Sequence, residues 1–158
     1  MSITWTKKFV SGDDGLVLTG AQLGQVQDDV SSQVIVLSSL TGVFSVTIDG
    51  GGDAIATGKK AWLVMPFACT LNNWTIAANA SGAIVIDINR STYANFASTV
   101  SITNGHEPTI TASAQKAQDT DLSDWTSVAI VAGDVIEFEV DSCTTISRCT
   151  LAVKYTRS

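Results

Sequence analysis

In several short stretches of this chain, hydrophobic and polar residues alternate with a period of two. Ile136, Phe138 and Val140 fall on one side and Glu137 and Glu139 on the other, so one face is expected in the core and the other in water. Cys149, Leu151, Val153 and Tyr155 alternate in the same way with Arg148, Thr150, Ala152 and Lys154. Successive side chains of a strand point to opposite faces, so this pattern marks half-buried antiparallel strands. Phe44, Val46 and Ile48 form another such set, and Ile84, Ile86 and Ile88 oppose Val85 and Asp87. Residues 61–65 and 73–78 add two further strand candidates.

Clusters of Gly, Asn, Asp and Ser punctuate these runs. Asp49-Gly50-Gly51-Gly52-Asp53 is expected to turn the chain, because glycine enters positive φ at no steric cost. Ser81-Gly82 is read as a hairpin between 73–78 and 83–89, and residues 141–145 as the turn joining the last two strands. Six or more short strands bounded in this way predict an all-β fold, an antiparallel β-sandwich or jelly roll, over residues 43–158. From Tyr93 to Asp124 the periodicity fades and Ser, Thr, Asn and Gln accumulate. That length predicts a long loop that touches a partner.

Residues 1–42 differ, forming an N-terminal arm with one short helix. Thr19 followed three residues later by Gln22 resembles a capping box, which starts a helix over about 20–32. Leu23, Val26 and Val30 form a narrow apolar stripe on it, opposite Gln25, Gln27, Asp28 and Asp29. A helix this short must dock on something, either its own domain or copies of itself. Leu23, Val26 and Val30, together with Trp5 and Phe9 of the arm and Tyr93 and Phe96 of the loop, are the candidate oligomer and partner contacts.

Composition narrows the functional classes. The 158 residues suit one domain, and a chain of this length needs no disulfide or metal to hold its core. Only 15% of residues are charged while 45% are hydrophobic, so the surface is weakly charged and suits faces that end up against neighbours. The net charge is −6, and basic residues are scattered apart from Lys7/Lys8 and Lys59/Lys60. Nucleic-acid binding, which needs clustered Lys and Arg against phosphates, is disfavoured. The N-terminus lacks the apolar run of a secretion signal, so synthesis and folding in a cytoplasm are expected. No stretch is long and apolar enough to predict a membrane anchor.

Candidate chemistry is sparse. The single histidine, His106, lies beside Glu107 in an extended loop where adjacent side chains point apart, which makes no catalytic dyad. Asp119, Asp121 and Asp124, like Asp49 and Asp53, supply oxygen ligands for calcium but lack the closing Glu of an EF-hand loop. Gly50-Gly51-Gly52 has no following Lys-Ser/Thr, so it serves a turn and not a phosphate. Trp62, Trp74 and Trp125 either fill the core or an interface, or make a sugar-stacking platform. Cys69, Cys143 and Cys149 lack CxxC spacing and read as small hydrophobes, with a Cys143–Cys149 bridge as the alternative. No catalytic residue, metal site or cofactor is expected.

The stretch Met65-Pro66-Phe67-Ala68-Cys69-Thr70-Leu71-Asn72-Asn73-Trp74-Thr75-Ile76, then residues 81–88 and Tyr93, resembles a module of tailed-phage structural proteins. Trp125, residues 132–138 and 146–151 are similar to the closing hairpin of that module. The resemblance covers about residues 43–156 and carries no catalytic residue. It implies a virion component, made in the host cytoplasm, whose partners are copies of itself, as a homotrimer, and the major capsid protein or another virion protein. With only the arm before the module and no fibrous repeat, the chain departs from the long tail-fibre form. A head decoration or cement protein is therefore expected. The alternative is a receptor- or glycan-binding module of a short head or tail fibre, with the loop over 93–124 as its recognition surface.

Overall fold

The period-two segments become strands: β1 (Thr41–Asp49), β2 (Gly58–Val64), β3 (Cys69–Thr92), β4 (Val100–Ser101), β5 (Thr109–Asp119), β6 (Ala129–Ile130), β7 (Asp134–Thr144) and β8 (Arg148–Arg157). The computed structural model describes residues 40–158 together with Ala21 and Gly24. Ala21 and Gly24 are helical, within the expected helix. Trp5, Phe9, Leu23, Val26 and Val30 lie outside the described residues.

All pairings are antiparallel, along the path β1-β8-β3-β7-β2, with β4, β5 and β6 attached to β3. The 24-residue β3 decides the architecture. Its first part, Cys69–Ala78, lies beside β8, and its second, Ala83–Thr92, beside β7. On its other edge β5 follows it through both parts, pairing Trp74–Ala77 and then Gly82–Val85. One bent strand thus feeds two layers, and the sheet curls over its own apolar face. Phe44 of β1 meets Phe138 of β7 edge-on at 6.3 Å, although these strands are not neighbours in the ladder. The expected antiparallel sandwich is the observed fold, with Ile76, Ile84, Ile86, Phe138, Leu151 and Val153 buried in its core.

Three local expectations are corrected. Ser81-Gly82 is no hairpin: β3 runs through it, and residues 73–78 and 83–89 are parts of one strand. Gly82 is needed for close approach. A Cβ there would collide with the Thr144 carbonyl oxygen and Thr145 Oγ1, and Thr145 Oγ1 donates to the Ser81 carbonyl at 2.8 Å. The β7–β8 turn lies at 145–147, because Ser142, Cys143 and Thr144 remain in the ladder opposite Val85, Ile84 and Ala83. The long loop of 93–124 contains β4 and the eleven-residue β5. Among the described residues β5 pairs only with β3, and most of its side chains face solvent. Register shifts and a positive φ of 72° at Ser113 interrupt what alternation remains.

The glycine turn after β1 forms as expected. Gly51 and Gly52 have φ of +70° and +103°, and the Gly51 N–H donates to Asp49 Oδ1 at 2.7 Å.

The three cysteines are free thiols. Cys69 and Cys149 are buried, while half-buried Cys143 donates its S–H to the Ile146 carbonyl at 3.3 Å. Burial, with a smaller effect from nearby Cys143, pushes the Cys149 thiol up to about 11.

Two outcomes follow from this packing. Gly82→Ala is expected to destabilise the fold by about 1–3 kcal/mol in urea denaturation, since the strand bend must move to admit the methyl group. Ser81→Ala, which keeps the carbonyl that Thr145 uses, is expected to stay within about 0.5 kcal/mol. In thiol labelling at pH 8, Cys143 is expected to react first in the native protein. Cys149, buried and mostly protonated, is expected to react at full rate only in denaturant.

Candidate functional site

The alternation of β7 places Ile136, Phe138 and Val140 in the core, as expected. It also places Glu137 on the opposite face, where water was expected, yet this residue is only 1% exposed. Trp62 of β2 is its register partner and donates its indole N–H to Glu137 Oε2 at 2.7 Å. Thr99 Oγ1 donates to Glu137 Oε1 at 2.7 Å, and Lys59 Nζ lies 2.9 Å from the same oxygen. Lys59 also donates to Thr99 Oγ1 at 3.3 Å.

Thr99 ends the segment that leaves β3 through a 3-10 turn, Tyr93–Asn95, and returns as β4. The carboxylate therefore pins residues 93–99 back over the outer face of the layer formed by β2, β7 and the second part of β3. Phe96 completes the cover by packing edge-on against Trp62, with ring centroids 6.2 Å apart.

Burial alone would push the Glu137 carboxyl up. The hydrogen bonds from Lys59, Thr99 and Trp62, together with the Lys59 charge, outweigh it and hold the group below the usual carboxylate range. The hydrogen bond to Glu137 in turn raises Lys59 above its ordinary value.

Large apolar side chains stand exposed around this latch. Trp62 is 50% exposed, Phe96 49% and Tyr93 72%, with Val64, Val100 and Val131 also open to solvent. Sequence reasoning places Tyr93 and Phe96 together at a partner surface. The structure sets Phe96 on Trp62, whereas Tyr93 lines a neighbouring groove of about 650 Å³ with Arg90, Ser91, Ser101, Thr126 and Asp134.

The other candidates are placed as follows. His106 Nδ1 lies 3.9 Å from Asp124 Oδ2, both side chains exposed, and the His106 carbonyl accepts the indole N–H of Trp125 at 3.1 Å. Asp119 and Asp121 accept the backbone N–H groups of Asp121 and Ser123, both at 3.0 Å, so these carboxylates order their own turn. Asp87, Glu107, Glu139 and Asp141 lie close enough that burial and the other three charges raise the Asp141 carboxyl, while Ser101 and Thr103 hydroxyls donate to Asp87. Among the described residues no three His, Cys, Asp or Glu come together as a metal-holding group. No helix among them is long and apolar enough to cross a membrane. Trp74 and Trp125 are buried, so a three-tryptophan platform does not form and only Trp62 is open.

Glu137, Lys59 and Thr99 were not recognised from sequence. One signal was present: Val135 shares the face of Glu137, and an apolar residue there already argues against a fully wet face.

The latch has a pH signature. Because the folded Glu137 carboxyl is held below its ordinary value of about 4.3, its stabilisation is complete above that pH. It is lost as pH falls through the lower folded value. Glu137→Gln is expected to cost about 1–3 kcal/mol at pH 7. The gap from wild type should narrow toward pH 3 in paired urea titrations.

No protein-family profile matches the chain. No curated protein matches it. Among solved structures, it is similar to an acid-stable capsid structure of a Helicobacter pylori bacteriophage, at 12% identity over 75% of this chain and 89% of the other, with a TM-score of 0.32. It is similar to the N-terminal cellulose-binding domain of Cellulomonas fimi β-1,4-glucanase C, at 14% identity over 73% and 76% of the two chains, with a TM-score of 0.33. A structure of infectious bursal disease virus gives 12% identity over 74% of this chain and 31% of the other, with a TM-score of 0.31. Likeness at these scores carries no inference about what the chain binds.

Proposed function

We propose that this chain is a non-enzymatic virion structural protein that works by adhesion, as a head decoration or cement protein binding the capsid lattice as a homotrimer. The observation that carries the reading is the exposed apolar face of Trp62, Val64 and Phe96, held rigid by the Glu137 latch. Rigid aromatic side chains lose little conformational freedom on binding, and such faces are typical of partner contacts. Lys59, the cation of the latch, is already paired with Glu137, so covering this face strips few unpaired charges of water.

In this reading the β-sandwich of 43–158 presents the Trp62 face to sister subunits. The part of the arm before β1 begins at Thr41 anchors the trimer to the major capsid protein or another virion protein, through Trp5 and Phe9 and the apolar stripe Leu23, Val26 and Val30. Tyr93 borders this face and belongs to the groove. The resemblance of residues 43–156 to a tailed-phage module supports the virion setting.

Purified protein added to undecorated phage heads is expected to bind saturably at hundreds of copies per particle, counted by quantitative gel or cryo-EM. Deleting residues 1–32 should abolish that binding. Trp62→Ser with Phe96→Ser should shift the free protein toward monomer in analytical ultracentrifugation. A few copies at a vertex or tail, or no head binding, would sink the cement reading in favour of a short fibre module.

A further inference from the structure

We propose that the outer face of β1 and β8, with the adjoining parts of β3 and β5, is the surface that receives the Trp62 face of a neighbouring copy of this chain. The inference rests on the reading that the Trp62 face meets sister subunits around a threefold axis. A patch that meets its own copy closes a twofold pair, whereas a ring of three joins two different surfaces at every contact. A second surface is therefore required, and charge identifies it.

The Trp62 face is acidic as well as apolar. Ile86, Ile88, Phe138 and Val140 point into the core, which sets Asp87, Glu137 and Glu139 on the outside of the same layer. Asp87 and Glu139 are register partners across β3 and β7. Asp141 follows, exposed, at the irregularity where Val140 opposes Ile86 and Ser142 opposes Val85. Glu107 joins them through the Thr103 hydroxyl, which lies 2.7 Å from Asp87 Oδ1 and 3.3 Å from Glu107 Oε1. Lys59 is the cation that reaches this group, and Glu137 already holds it. Burial and the charges of Asp87, Glu139 and Glu107 raise the Asp141 carboxyl, as expected in a negative potential. Two such faces brought together would set carboxylates against carboxylates, which disfavours self-contact.

The opposite layer presents the reverse. Leu151, Val153, Trp74 and Ile76 face the core, so the residues between them face outward. Val43, Lys154 and Asn73 stand side by side across β1, β8 and β3, and Thr150, Ala77 and Lys116 do so across β8, β3 and β5. Lys116 and Lys154 are exposed and pair with no carboxylate among the described residues. Arg148 on the same face is balanced by Asp49 at 3.8 Å. The side chains between the lysines are small, so a partner can approach closely, and Val43, 60% exposed, supplies an apolar contact for Trp62 and Phe96. Four strands about 4.8 Å apart and up to about 30 Å long make a face of roughly 500 Å² in projection. With side-chain relief, that approaches the roughly 800 Å² each partner buries in a standard interface.

The test is analytical ultracentrifugation of the full chain and of charge-reversal variants. Lys116→Glu with Lys154→Glu is expected to weaken self-association about tenfold or more, and Glu139→Lys with Asp141→Lys to do the same. All four substitutions in one chain should restore it, because each face then meets the opposite charge again. A retained Tm shows that a variant is folded. Raising NaCl from about 50 to about 500 mM should weaken the wild-type oligomer too, which decides the matter where a variant does not fold. An oligomer indifferent to salt and to both reversals, or two weakening reversals without restoration in the four-substitution chain, would overturn the proposal and leave the Trp62 face meeting its sister by another surface. A chain that is monomeric at every concentration would overturn both this proposal and the sister-subunit reading on which it rests.

Discussion

The sandwich depends on β3 remaining one strand through both layers. β4, β5, β6, β7 and β8 all hydrogen-bond to it, and only β1 and β2 reach it through another strand. Were the chain to turn back at Ser81-Gly82, its two parts would pair with each other, and the edges now occupied by β7 and β8 would be lost. The bend is possible because Gly82 carries no side chain where the β7–β8 turn packs against it. Core burial follows from that geometry: once the sheet curls, Phe44 and Phe138 face each other and the isoleucines of both parts of β3 leave water.

A second constraint acts on the outside of one layer. A carboxylate removed from water costs free energy unless its oxygens are paired, and Glu137 has an indole N–H, a hydroxyl and an ammonium group around it. These partners come from β2 and from the segment after β3, so satisfying one charge fixes two elements that share no core contact through it. Apolar side chains placed on those elements, Trp62 and Phe96, are thereby held in a defined arrangement although both stand half in solvent. A rigid apolar surface suits lasting contact with a neighbour, and this connects the electrostatics of one buried group to the adhesive role proposed for the protein.

The groove beside this face is a different kind of surface. Its wall combines the Arg90–Asp134 pair with the open Tyr93 ring, while the Trp62 face offers area. The two lie close together because the chain leaving β3 serves both, with Tyr93 in one and Phe96 in the other.

Patterns among neighbouring residues were enough to specify part of this protein. The alternation of β1 and β8, the inward Ile136, Phe138 and Val140, and the glycine turn after Asp49 are all set by a period of two and by backbone sterics. A low charge content likewise favours covered surfaces, because few charges must be stripped of water. Contacts between distant segments settled the rest. β5 escapes a reading by period because a strand with both faces largely open to solvent has little reason to alternate, and Gly82 reads as a turn because close approach and turning favour the same residue. Alternation assigns Glu137 to water because a period of two says only that a side chain points away from the core. Whether a distant segment then folds over that side is set by pairings such as Thr99 with Glu137, which no local pattern encodes.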